Sequence, residues 1–101
     1  MLDQLTATDF DALVGTAFTA ETPHESAALD LIEVTKLREP PARPGAPVRR
    51  APFSLTFRTR TPKYIPQGVF ALSHDRLGRI DVFMVPVGWE PGGLLLEAVF
   101  N

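Results

Sequence analysis

The stretch Phe53-Ser54-Leu55-Thr56-Phe57-Arg58-Thr59-Arg60 decides how this 101-residue chain is read. Its apolar and polar residues alternate with a period of two, which is the period of a strand with one buried and one wet face. Phe53, Leu55 and Phe57 are expected to point inward, and Ser54, Thr56, Arg58 and Arg60 outward. No helical assignment accommodates that pattern, because a period of two scatters the same residues around a helix.

Working outward, the same logic predicts five more strands. Thr16–Ala20 is a first, and Ala28–Leu37 a second after the polar, proline-containing loop 21–26. In the second strand the apolar positions run Leu29, Leu31, then Ile32, Val34, so the phase slips between 31 and 32. One inserted residue flips every later side chain, and a bulge is expected there. After Phe53–Arg60, the connector 61–68 contains two prolines. Val69–Ser73 and Arg79–Val87 then read as a hairpin through the turn at His74–Gly78, and Leu94–Phe100 closes the chain. Pro86 supplies no amide donor and is expected at an edge or a bulge. Arg79–Val87 is apolar on both faces, with Val82 and Met84 on one and Phe83, Val85 and Val87 on the other. A half-solvated sheet does not require that second apolar face, so either the helix and loops or another subunit is expected to cover it.

Before the first strand, Thr6 and Thr8 each precede an acid by three residues, a capping signature for a short helix over about 7–14. Leu5, Phe10, Leu13 and Val14 would share its buried face, and Gly15 would stop it. The expected fold class is therefore all-β, a small antiparallel six-stranded barrel or sandwich with one short N-terminal helix. Residues 1–101 form a single domain on this reading, since a chain of this length buries roughly 60% of its extended surface or slightly more around one core. The seven Phe supply that core, while ten Pro and seven Gly supply the reversals. There is no cysteine, which removes disulfides and thiolate metal sites. No basic, apolar leader and no membrane-length apolar run is present, so the expectation is a cytoplasmic protein with no membrane partner.

Charge is strongly segregated along the chain. Eight of the ten Lys and Arg residues lie in 36–63 beside a single acid, Glu39, whereas 1–35 holds seven acids and no Lys or Arg. Within the basic window, 39–52 carries five prolines and reads as a stiff cationic loop, not a packed element. Candidate partner-binding residues are Arg43, Arg49 and Arg50 on that loop, Arg58 and Arg60 on the neighbouring strand, and Trp89 in the expected turn 88–93. Clustered arginine gives bidentate contacts to carboxylate or phosphate. The simpler accounts are that Arg58 and Arg60 solvate a strand face and pair with the acidic N-terminal third, and that Trp89 packs over the end of the barrel. Tyr64, between two prolines, carries the same ambiguity as Trp89.

Other constellations are thin. His74-Asp75 falls in a turn, where Asp has a local stabilising role, and His24-Glu25 falls in a loop. Ser26, Ser54 and Ser73 could each be drawn into a triad with a histidine, but none sits in a Gly-x-Ser-x-Gly elbow. Gly92-Gly93 lacks the lysine and helix of a phosphate loop. The chain is thus expected to be non-enzymatic, with no catalytic residues, no metal and no cofactor.

The phrases Leu2-Asp-Gln-Leu-Thr6, Asp9-Phe10, Leu13-Val-Gly15, Ala51-Pro-Phe-Ser-Leu55, Pro66-Gln-Gly68 with Leu72, His74 and Leu77-Gly78, Val85-Pro-Val-Gly88 and Glu97-Ala-Val-Phe-Asn101 resemble an uncharacterised family of small bacterial domains of about this length. The likeness runs end to end except at the proline-rich loop, which is longer here. The resemblance implies an accessory or assembly role beside proteins that resemble phage tail-collar or tail-fibre components, and it carries over no catalytic residue. The function expected from residues and resemblance together is a non-enzymatic structural, assembly or protein-binding module, with self-association among the expected modes. The alternative is a small nucleic-acid or polyanion binder using residues 36–63. Net acidity and inward aromatic residues make nucleic acid the weaker partner class.

Overall fold

The computed structural model describes residues 5–21, 25–38, 44–45 and 51–100. A short helix, α1 (Ala7–Asp11), precedes six strands: β1 (Ala17–Glu21), β2 (Ser26–Lys36), β3 (Phe53–Thr59), β4 (Gly68–His74), β5 (Gly78–Glu90) and β6 (Gly93–Phe100). They form one closed antiparallel barrel in the order β1-β2-β3-β6-β5-β4, with β4 returning to β1. Barrel, not sandwich, is the outcome, and closure removes the exposed edges that an open six-stranded sheet would leave. Consecutive strands pair except β3 and β4, whose connector 60–67 runs across one end. Ile65 from that connector is buried.

Inward positions follow the alternation. Phe53, Leu55 and Phe57 of β3 are fully buried, together with Leu29, Leu31, Leu72, Met84, Leu94 and Leu96. At one end the rings of Phe53 and Phe100 stack 4.8 Å apart, and Phe10 of α1 tilts against both at 5.7 and 5.5 Å. The helix therefore acts as a plug. Deeper in, Phe18 meets Phe57 edge-on at 5.2 Å. Aromatic pairs of these geometries contribute about 0.5–1.5 kcal/mol beyond the area they bury.

The slip read at residues 31–32 is a bulge. Leu31 pairs with Phe57 and Glu33 with Thr56, so Ile32 is the extra residue and Val34 regains the inner face opposite Leu55. Pro86 also sits at an irregularity, since the β5–β6 register shifts between Pro86 and Gly88.

Three expectations need correction. The helix ends at Asp11 and continues only as turns to Gly15, leaving Val14 half exposed. A five-residue helix has too few turns to extend its buried stripe past Leu13. The capping signature at Thr6 is borne out: Thr6 is the N-cap of a capping box with Asp9, whose carboxylate accepts from the Thr6 amide at 2.8 Å and from the Thr6 hydroxyl at 3.2 Å. Ser54, expected outward and wet, is only 4% exposed. Finally, β5 continues to Glu90, so Trp89 is a strand residue opposite Leu94 and is 54% exposed instead of packed over the barrel end.

Candidate interaction surface

Arg58, Arg60 and Lys63, at and just after β3, each have an acidic neighbour. Asp30 of β2 and Arg60, just past β3, face each other because Asp30 pairs with Arg58 in the ladder and Arg60 follows two residues on. The Arg60 guanidinium donates to Asp30 through Nη2 at 2.8 Å and Nε at 3.2 Å, a two-pronged contact. That hydrogen bond, reinforced by the charges of Arg60 and Arg58, holds the Asp30 carboxyl below its ordinary pKa against a smaller opposing effect of burial. Lys63 pairs with Glu25, and Arg58 lies 3.8 Å from Glu90. Much of the charge segregation seen along the sequence is thus resolved within the chain. The N-terminal third supplies Asp30 and Glu25 to two cations of the basic window. Arg58 and Arg60 remain solvent-facing, but as halves of ion pairs instead of an unopposed cationic face.

Arg43, Arg49 and Arg50, the loop members of the expected partner-binding set, lie outside the described residues, as does His24. Lys36 and Arg38, at and just beyond the end of β2, hold no ion pair among the described residues.

His74 is committed to the fold. Its Nδ1 accepts the Arg76 amide at 3.0 Å, which assigns the ring proton to Nε2. Nε2 then donates to the Thr16 hydroxyl at 2.9 Å, and that hydroxyl donates to the Leu13 carbonyl at 2.6 Å. The ring also packs on Phe18 with centroids 4.5 Å apart. Both nitrogens are used to tie the β4–β5 turn to the segment after α1, which leaves neither for a metal or a proton transfer. No group of three or more His, Asp or Glu able to hold a metal occurs among the described residues. Of the serines, Ser54 is buried in β3, while Ser26 and Ser73 line separate shallow grooves. Ser73 shares its groove with Thr19, His74, Asp75 and Arg79. No helix among the described residues is long and apolar enough to cross a membrane.

The outer face of β4, β5 and β6 is a different kind of surface. Val69 of β4 stands directly opposite Phe83 of β5. Beyond the last β5–β6 pair, Val85 opposite Glu97, the next outward residues of the two strands are Phe83 and Val99. Val69, Phe83 and Val99 are 65%, 53% and 51% exposed and form an apolar row on the outer sides of three neighbouring strands, with Val69 and Phe83 directly paired. Its borders are acidic. One row away, Ala71 is flanked by Glu21 of β1 and Asp81 of β5, and on the other side Glu97 faces Val85. Asp81 has only a loose contact with Arg79 at 3.8 Å, and Glu21 and Glu97 hold no ion pair among the described residues.

Sequence alternation had marked the second apolar face of β5, including Phe83. It missed Val69, Val99 and the acidic border, because their juxtaposition comes from register across strands separated by up to 30 residues. Period within one strand carries no information about that register.

Fold and surface together define a small closed antiparallel β-barrel domain with a helical plug and an acid-bordered apolar outer face. The chain belongs to a domain family of unknown function, DUF6916, whose model matches residues 5–100. No curated protein and no solved structure matches it.

Proposed function

We propose that this domain is a non-enzymatic protein-binding module, serving structure or assembly, and that it docks its partner on the outer face of β4–β6. The single observation that carries this reading is the apolar row Val69–Phe83–Val99, uncovered by any described residue and bordered by Glu21, Asp81 and Glu97. Isolated exposed apolar residues are ordinary on protein surfaces, but a contiguous row with a polar rim is the usual form of a docking site.

Magnitudes constrain the partner. Covering three side chains that are already about half buried gains roughly 1 kcal/mol each. Association costs about 4 kcal/mol or more before any contact is made. The apolar row alone is therefore too small, and the acidic border has to contribute. A partner with basic residues around an apolar contact satisfies both requirements, and its binding weakens with salt. An accessory role beside a fibre-like or phage-tail-like protein, implied by the sequence resemblance, is compatible with such a surface.

The alternative, nucleic-acid binding through residues 36–63, loses support from the pairing of Arg58, Arg60 and Lys63 with Glu90, Asp30 and Glu25. Enzymatic readings lose support from the two engaged nitrogens of His74. One experiment addresses the main reading. Wild-type and Phe83→Ser proteins, each immobilised, are exposed to extract of the source cells, and retained protein and nucleic acid are measured. Proteins held by the wild type and released by Phe83→Ser are expected. Equal retention by both would sink the docking face, and Phe83-independent retention of DNA or RNA would favour the alternative.

A further inference from the structure

We propose that the occupant of this face is a second copy of the chain, which presents the cationic stretch beginning at Lys36 and Arg38, so that copies associate head to tail. The inference rests on the protein-docking reading above and names its partner. Charge complementarity carries it. Arg60 and Lys63 are paired with Asp30 and Glu25 and Arg58 lies near Glu90, while the rest of the basic window, Lys36, Arg38, Arg43, Arg49 and Arg50, contains in sequence a single acid, Glu39. The acids bordering the apolar row, Glu21 and Glu97, are unpaired among the described residues, and Asp81 is loosely held. One molecule thus carries a stretch that is strongly basic in sequence, whose described cations Lys36 and Arg38 hold no ion pair among the described residues, and an acid-bordered apolar face.

The basic stretch suits the face in a second respect. Residues 36–52 include five prolines together with Leu37 and Val48. Proline-rich segments are already restricted in the unbound state and lose little entropy on docking against exposed aromatic and aliphatic side chains.

A twofold arrangement, face against face, would set the acids of one copy against those of the other. The favourable contact is heterologous, and a heterologous contact that does not close into a ring propagates into chains.

The test uses the full chain in sedimentation velocity over a concentration series at low and high salt, with two variants. Phe83→Ser disables the face and keeps the cations, while Arg49→Ala/Arg50→Ala weakens the cationic stretch and keeps the face. The wild type is expected to form concentration-dependent oligomers at low salt that dissociate at high salt. Each variant alone is expected to associate at least about tenfold more weakly, consistent with loss of a central aromatic or arginine contact. Mixed together, the two variants are expected to form a one-to-one dimer and nothing larger, because each retains the half the other lacks. Val69→Ser, checked with Phe83→Ser by circular dichroism, carries the face arm if the Phe83 variant does not fold. A wild type that is monomeric at every concentration and salt overturns the inference, including the case in which the stretch occupies the face of its own chain. So does a mixture that stays monomeric, or an arginine variant that still self-associates like the wild type, which would indicate a twofold face-to-face dimer. Phe83-dependent capture of another protein by a strictly monomeric wild type would reject the second copy and leave the docking face standing, whereas capture indifferent to Phe83 removes both.

Discussion

At Gly93 the chain passes so close to β3 that a Cβ would lie 2.0 Å from the Thr59 carbonyl oxygen and 2.9 Å from Arg58 Cγ. The approach is fixed from both sides, since the Thr59 hydroxyl accepts the Leu94 amide at 2.9 Å and donates to the Thr61 carbonyl at 2.7 Å. A backbone oxygen cannot swing aside as a side-chain end can. Gly93→Ala is expected to destabilise the domain by about 2–3 kcal/mol in urea unfolding, the cost of overpacking a tight site. Gly68→Ala is the control, because open space surrounds that position, and a change within about 1 kcal/mol is expected there. Similar losses at both sites would reject the close-approach account. Asp30 makes a second residue-scale prediction. Its carboxyl pKa is lowered in the folded state, chiefly by the hydrogen bond from Arg60. A depressed carboxyl contributes stability that is fully present above its unfolded pKa, about 3.9, and is lost as pH falls through the lower folded value. Asp30→Asn should therefore be less stable than wild type at neutral pH by a small margin, since the pair is partly exposed. The margin should close on acidification below about pH 4. A gap that stays constant from pH 7 to the acid limit would contradict the pairing.

Among the elements, β2 and β5 are the instructive strands, each interrupted by a bulge. The bulge of β2 was legible in the sequence because the apolar phase changes at Ile32 and both halves of the strand have their own buried set. Leu29 and Leu31 are fully buried before it, and Val34 is half-buried against the core after it. Because Ile32 is the extra residue, deleting it leaves Leu31 and Val34 two apart and both still inward in a regular ladder, and a cost of about 1 kcal/mol or less is expected in chemical denaturation. An Ala inserted between Glu33 and Val34 instead turns Val34 away from the core, and a loss of about 2 kcal/mol or more is expected. Equal losses for the deletion and the insertion would show that strand length and not register is what matters. The extension of β5 to Glu90 was not legible, because Gly88, Pro91 and Gly92 give the local signature of a turn. Pairing of Gly88, Trp89 and Glu90 with Leu95, Leu94 and Gly93 overrides that signature. The length of α1 was overestimated for the converse reason: apolar spacing continues past Asp11, but no neighbouring element covers Val14.

Across the whole molecule, closure depends on a short seam. β1 and β4 share three residue pairs, whereas β2–β3 and β4–β5 share seven each. Fewer ladder bonds mean a lower free energy of local opening, so the barrel should open first at this seam. Amide hydrogen exchange is expected to be roughly tenfold or more faster for Thr19–Glu21 and Ala71–Ser73 than for the β3–β6 ladder between Phe53 and Arg58. Uniform protection around the barrel would show that it opens only as a unit. What the sequence by itself determined is the set of elements and which side of each is apolar, because strand period, bulge phase and turn residues act over a few residues at a time. The tertiary structure decided closure into a barrel, the neutralisation of Arg58, Arg60 and Lys63 by distant acids, and the union of Val69, Phe83 and Val99 into one surface. Each of those depends on register between strands far apart in the chain, and no local preference encodes it.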